Sequence, residues 1–289
     1  MTVDSRADDD IRRRTWQGMT GRTRVVVGLG LALAVLALLV LTAGLTSGAA
    51  HATDLPNRNQ PPSWGHLFGT DRYGRDLLAR TLAGLRLSLV VGAVAATASA
   101  VIALVLALVA VLGGRIGRAV VQWLIDLVLA VPHLVLLILI AFALGGGTSA
   151  VIVAVGVTHW PRLTRVLISI GRSVVSSEYV AVAAALGHSR WRIARSHISG
   201  HLLPQLLVGA ILMFPHAILH EAALSFLGLG IDPSEPAIGI LLQESMRSLS
   251  AGHWWLAALP GLGLLVLVRL MDRIGENIRL LIDPRFAQR

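Results

Sequence analysis

His216, His220 and Glu221 stand together in the run PHAILHEAAL, with the histidines one helical turn apart. Two imidazoles at i and i+4 with a carboxylate on the same face suit a zinc-like ion. The order H-E-x-x-H is absent, so the run does not spell a metallopeptidase. On these residues alone a metal site and a packing role both stay open. Asp71 and Asp76 in GTDRYGRD would suggest calcium, which asks for about six to eight oxygens, but the EF-hand spacing does not fit. The glycines Gly69 and Gly74 point instead to a turn leading into a helix. Asp126 lies in an apolar run seven positions before His133, with Pro132 between them. A carboxylate there can mark a proton relay. Its nearness to Arg118 and to the end of the run favours a paired or snorkelling interface residue.

The chemistry that is missing narrows the classes further. There is no cysteine, so thiolate metal sites, disulfides and cysteine nucleophiles are excluded. All 25 basic residues other than histidine are arginine, and no Walker A pattern G-x-x-x-x-G-K-[ST] occurs. The chain therefore has no usual cradle for ATP phosphates, and the expectation is a chain with no cofactor of its own and no catalytic residue.

The elements that must position these residues are built for lipid. The 289 residues are 55% hydrophobic and 14% charged, with mean hydropathy +0.72, against about 25% charged in a soluble domain. The net charge of +9 does not indicate nucleic acid, because aromatics are 5% and the arginines sit in short links between apolar runs. Six runs are long enough to cross a bilayer: 25–45, about 87–112, 120–144, 150–170, 202–219 (interrupted by Pro204 and Pro215) and 254–270. The organisation expected is an N-terminal segment 1–24, a first span 25–45, a polar segment 46–84, a core of five spans over 85–270, and a tail 271–289. The first run is longer than the 7–15 apolar residues of a signal peptide, so it reads as a retained span. Residues 228–253 read as a polar loop, and HWPRLTR (159–165) as the proline-bent end of the fourth span. Six crossings put both termini on one side, where 19 of the 25 arginines fall. That bias places the termini and the link 176–201 in the cytoplasm. Five arginines in 58–86 run against the bias and are partly offset by Asp71 and Asp76.

The link SSEYVAVAAALGHSRWRIARSHISGHLLP (176–204) is amphipathic. Tyr179, Ala183 and Leu186 form one stripe, and Trp191, Ala194, Ile198 and Leu202 a second. Ser177 and Glu178 suit a helix start, the hydroxyl as cap and the carboxylate against the dipole. Gly187 ends this first helix, and HSRWRIARSH begins another at an angle. Physical reasoning leaves two readings open. One is a helix lying in the headgroups. The other is a docking helix with anchors such as Trp191 and Ile198, with arginines setting its register on a partner.

This link resembles the cytoplasmic EAA loop of bacterial ATP-binding-cassette importer permeases of the dipeptide/oligopeptide/nickel branch, through Tyr179, Val180, Ala183, Leu186, Gly187, Ile193 and His197. It departs at Ala181 (glutamate in the motif), Val182 and Gly200. FGTDRYGRDLLARTLAGLRLSLVVG (68–92) is similar to a block of the second permease subunit of that branch, and EAALSFLGLGIDPSEPAIG (221–239) to another, with Ile238 in place of a tryptophan. The resemblance implies an all-α, type I importer permease fold with six spans in the bacterial inner membrane. It implies ATPase coupling through Tyr179, Ala183, Leu186, Gly187, Arg190, Trp191, Arg192, Ile193, Arg195 and His197. It implies an extracytoplasmic gate or cap at Gly69, Thr70, Asp71, Gly74, Arg75, Asp76, Glu221, Ser225, Gly228 and Gly230, and so a packing or gate role for Glu221 rather than metal binding. Implied partners are a homologous permease, two ATPase subunits carrying the ATP and Mg²⁺, and an extracytoplasmic solute-binding protein, with lipid around the spans. The cargo implied is a dipeptide or oligopeptide, with nickel or another chelated metal as the alternative. A secondary transporter would need more intramembrane charge than Asp126 alone supplies.

Overall fold

The computed structural model describes residues 21–282, and the outer parts of the expected terminal segments lie outside them. The described chain is α-helical, and its only β pairing is a single bridge between Thr70 and Asp76. The helices are α1 (Gly21–Leu45), α2 (Ser47–His51), α3 (Leu77–Leu112), α4 (Gly114–Ala130), α5 (His133–Ala143), α6 (Gly147–Thr158), α7 (Trp160–Val175), α8 (Glu178–Ala185), α9 (Arg190–Ile193), α10 (Ser199–Phe226), α11 (Ile238–Leu249) and α12 (Trp255–Ile282). Five continuous or nearly continuous helices are long and apolar enough to cross a membrane, and the bent pair α4–α5, taken as one span, makes a sixth. The chain alternates accordingly between a proximal end, carrying residues 21, 113, 176–190 and 282, and a distal end, carrying 46–76, 144–147 and 227–254.

The central element is α3, 36 residues long, about 54 Å at the helical rise. Asp76 caps it by accepting from the Ala79 N–H at 2.8 Å. One face is a stripe of buried small residues, Ala96, Ser99, Ala100, Ala103, Ala107 and Ala110. Without a hydrophobic drive between helices in lipid, such a stripe lets backbones approach and gain dispersion contacts. Gly156 of α6 and Gly171 of α7 meet this helix at Ala98 and Val111. α10 packs along α3 as well, and α1 lies on α12 with most of its apolar surface facing outward.

Four expectations change. The run 120–144 is not one straight helix: α4 and α5 are set 93° apart at Val131–Pro132, because proline lacks an N–H and restricts the residue before it. The fourth span runs from Gly147 to Val175, so HWPRLTR lies inside it rather than at its end. Pro161 fits there in the first turn of α7, where no N–H is required. Pro204 and Pro215 do not interrupt the fifth span, since α10 passes through both, as neighbouring helices can re-satisfy freed carbonyls. Residues 228–253 are not merely a loop. They contain α11, 12 residues long, too short to cross a bilayer, with Ile238, Leu241 and Ser245 buried on one face.

Candidate functional site

At the proximal end, α8 stops in a Schellman motif. The Gly187 N–H donates to the Ala184 carbonyl at 3.0 Å and the His188 N–H to that of Ala183 at 3.1 Å. This closure needs the left-handed φ of +81° at Gly187, which glycine takes without Cβ strain. Ser177 does stand at the helix start, but its hydroxyl donates back to the Val174 carbonyl at 2.5 Å rather than capping α8. After the turn, α9 passes through a π-helical stretch (Ala194–Ile198) directly into α10. The second helix of the link is thus the base of the fifth span, not a separate element.

The link has two faces. Val180, Ala183, Ile193, Ala194, Ile198 and Leu202 are buried against the bundle. Tyr179, Val182, Leu186 and Trp191 are exposed, Leu186 by 74% and Trp191 by 70%, beside the exposed Arg192 and Arg195. The Arg190 side chain lies outside the described atoms. Ile198, expected to anchor a partner, is 0% exposed and belongs to the core. The helical stripe is real, but tertiary packing claims its Ala194–Ile198–Leu202 side. His197 is half-buried beside the Tyr179 ring, and the Tyr179 hydroxyl lies 3.3 Å from His201 Nε2.

Between the ends lies a cavity of about 620 Å³, walled by α4, α5, α6, α7, α10 and α12. Its polar lining includes His133, His159, Arg162, Gln205, His216 and His220. From Gln205 to His220 it follows α10 for about 22 Å, through the middle of that helix. Sequence reasoning placed no residue in a cavity. The two histidines of α10 were the ones read for metal chemistry, with Glu221 expected on their face, while His133 and the run HWPRLTR were noted only for their places in the spans. Glu221 instead turns away into the core, where Ser88 donates to it at 2.5 Å and Ser225 at 3.0 Å.

At the distal end Asp71 is buried and fully engaged. Its Oδ1 accepts from the Tyr73 and Arg75 N–H groups at 2.8 and 2.9 Å, and its Oδ2 from Arg75 Nε at 2.7 Å and Arg80 Nη1 at 2.5 Å. Arg80, 1% exposed, also donates to Glu244 of α11 at 3.0 Å, and Arg72 reaches the same carboxylate at 3.2 Å. Three of the five arginines that ran against the charge bias, Arg72, Arg75 and Arg80, are therefore paired locally with two carboxylates. With oxygens saturated by N–H donors and guanidinium groups alongside, Asp71 has no calcium chemistry to offer. Thr70 is buried, donating to the Asn57 carbonyl at 2.5 Å, and Asp76 lies 2.9 Å from His66. Gly69 and Gly74 take φ of +76° and +74° in the turn. Gly228 takes +79° just beyond α10, and the Gly230 carbonyl accepts from the Gly147 N–H at 2.8 Å. Nearby, the Ser234 hydroxyl and N–H hold the Asp232 carboxyl below its ordinary range. Arg80 and Glu244 were missed. Arg80 was legible only as a basic residue one turn after the Asp76 cap, and nothing in the sequence ties it to a glutamate in α11.

Asp126 is paired, but with Arg165 of α7 at 3.0 Å rather than with Arg118, and Gln122 donates to it at 2.8 Å.

A bundle of membrane-length helices enclosing a cavity, with a two-faced link at its proximal end, is the architecture of a membrane permease subunit. The chain belongs to the family described as binding-protein-dependent transport system inner membrane component, whose pattern matches residues 99–285. It is 35% identical to a putative peptide transport system permease protein of Brucella suis biovar 1 (strain 1330), over 90% of this chain and 87% of that one. It is 33% identical to a probable D,D-dipeptide transport system permease protein of Escherichia coli (strain K12), over 92% and 89%. It is 30% identical to a dipeptide transport system permease protein of Bacillus subtilis (strain 168), over 94% and 85%.

Proposed function

We propose that this chain forms half of the translocation pathway of an ATP-driven peptide importer, paired with a homologous six-span subunit. Two ATPase subunits dock on the link 176–201, and a solute-binding protein delivers cargo at the distal end. The relatives named for peptides and dipeptides support that cargo class over the nickel alternative. The arginine bias supports a cytoplasmic proximal end, with both termini and the link on that side.

The observation that carries the reading is continuity. Trp191, Arg192 and Arg195 sit exposed on a segment that runs through α9 without a break into α10, and α10 walls the cavity, while Leu186 is exposed at the end of α8 just before the turn. A displacement of the link by a closing ATPase dimer is thus a displacement of the cavity wall. The helical packing is the two-state element, biased by nucleotide on one side and by the loaded binding protein on the other. Tyr179, Leu186 and Trp191 supply apolar anchors, while Arg192 and Arg195 set register and encounter rate. Gly187 fixes the angle between the two halves of the link.

The test is the double reversal Arg192→Glu with Arg195→Glu. The ATPases should be lost on purification from native membranes while the two permease subunits stay together. Retained ATPases with normal uptake would make the link a lipid-surface helix and overturn the docking reading.

A further inference from the structure

The cavity wall carries three side chains that the transport reading does not use. His133 opens α5 just after the Pro132 break, His159 sits between α6 and α7, and His220 lies in α10. Their ring centres are 4.6, 4.9 and 5.0 Å apart, with planes 81°, 90° and 84° to one another. One ring nitrogen from each lies within 4.8 Å of the others. Three imidazoles on a tetrahedral ion, at metal–nitrogen bonds of about 2.0–2.1 Å, have ring centres roughly 5 Å apart. The observed spacing is already that of a ligand set, and small ring rotations close the remaining distance.

The hydrogen bonds point the same way. Nδ1 of His159 donates to the Val155 carbonyl at 2.9 Å, and Nδ1 of His220 to the His216 carbonyl at 2.7 Å. A ring nitrogen facing a carbonyl must carry the proton, so both rings keep Nε2 as a free lone pair. Such backbone bonds orient the ring and fix the tautomer of metal-ligating histidines. Nε2 of His159 is buried with no hydrogen-bond partner, which is costly for a polar atom unless something else satisfies it.

We propose that His133, His159 and His220 form a tris-imidazole site for a divalent transition-metal ion of borderline softness, zinc being the reference. A fourth coordination position would face the cavity. Glu221 takes no part, since its carboxylate is occupied by Ser88 and Ser225. Arg162 on the same wall disfavours a bare dication and favours an anionic fourth ligand. An ion held there ties α5, the α6–α7 junction and α10 together on the cavity wall.

The experiment uses the complete complex purified from native membranes, stripped with chelator and titrated with Co²⁺. The expected result is one saturating equivalent per copy of this chain with the strong visible absorption of four-coordinate cobalt, displaced by Zn²⁺. That signal should be lost in His133→Ala and in His220→Asn complexes that still contain both permease subunits. Zinc X-ray absorption on the unmodified complex gives a second readout, expected to show three imidazole ligands. Stoichiometry and spectra unchanged in the variants, or a zinc shell without histidine, would overturn the site and leave three packed rings. Binding is read here without transport, so this failure is distinguishable from failure of the importer reading.

Discussion

Arg80 of α3 and Glu244 of α11 meet at 3.0 Å across 164 residues of chain. This contact, with Asp71 on the other side of the guanidinium, ties the start of the longest helix to the short helix that never crosses the bilayer. Arg80 is 1% exposed, so its charge has no water to fall back on. Removing it takes a charged hydrogen-bond donor from both Asp71 and Glu244, which keep Arg75 and Arg72, at about 1.5–3 kcal/mol for each bond lost. Arg80→Ala should therefore lower the thermal stability of the detergent-solubilised protein strongly, while Arg80→Lys, which keeps charge but loses the forked geometry, should fall between. Equal melting of Arg80→Ala and the parent would remove the network's structural role.

Glu221 offers a subtler contrast. It is buried in the helix that walls the cavity and receives two hydroxyl protons, from Ser88 and Ser225. Glu221→Ala leaves both hydroxyls without an acceptor and should cost about 1–3 kcal/mol for the unsatisfied groups. Glu221→Gln keeps an acceptor of the same shape and should cost less. Melting of the pair alongside Ser88→Ala forms a double-mutant cycle, and a coupling energy of zero would contradict the bond.

Two glycines with different surroundings should fail differently. A Cβ at Gly239 would run into the Ala222 carbonyl and the Ser225 side chain, whereas at Gly187 it would meet nothing within 4 Å. Gly187→Ala therefore pays only for the left-handed conformation, about 1–2 kcal/mol. Its effect should be confined to the link, seen as weaker ATPase retention with an unchanged melting temperature of the spans. Gly239→Ala should instead reduce the yield of folded protein. The reverse pattern would mean that the link's turn is not what sets its geometry.

These contrasts show which parts of the molecule a sequence displays. Apolar runs announce spans because lipid demands uninterrupted helices, and Gly187 announces a helix end because only one residue type takes that backbone cheaply. Pro132 was visible, yet a proline does not state its angle, and Pro204 and Pro215 in the fifth run bend nothing out of register. The helix α11 was written in Ile238, Leu241, Leu242 and Ser245 but masked by the glycines and prolines around it. What no local pattern carries is pairing at a distance. Arg80 with Glu244, Asp126 with Arg165, and His220 with His133 and His159 are products of helix packing. That packing depends on which small residues let which helices approach.

The same division governs the link. Trp191 and Ile198 fall on one predicted stripe, but Trp191 is 70% exposed and Ile198 is 0% exposed. If the exposed face is the docking surface, Trp191→Ala removes a partner's anchor and nothing from the core. A central aromatic anchor is worth about 2 kcal/mol or more, so ATPase affinity should fall by roughly 30-fold while the melting temperature holds. Ile198→Ala removes methylenes from a filled seam beside Val180 and Leu202, at about 2–5 kcal/mol, so it should lower the melting temperature first. The decisive quantity is the ratio of the two losses in each variant, measured as ATPase binding to solubilised permease against its thermal midpoint. A Trp191→Ala protein that melts early and still holds its ATPases would place the indole in the fold rather than at an interface.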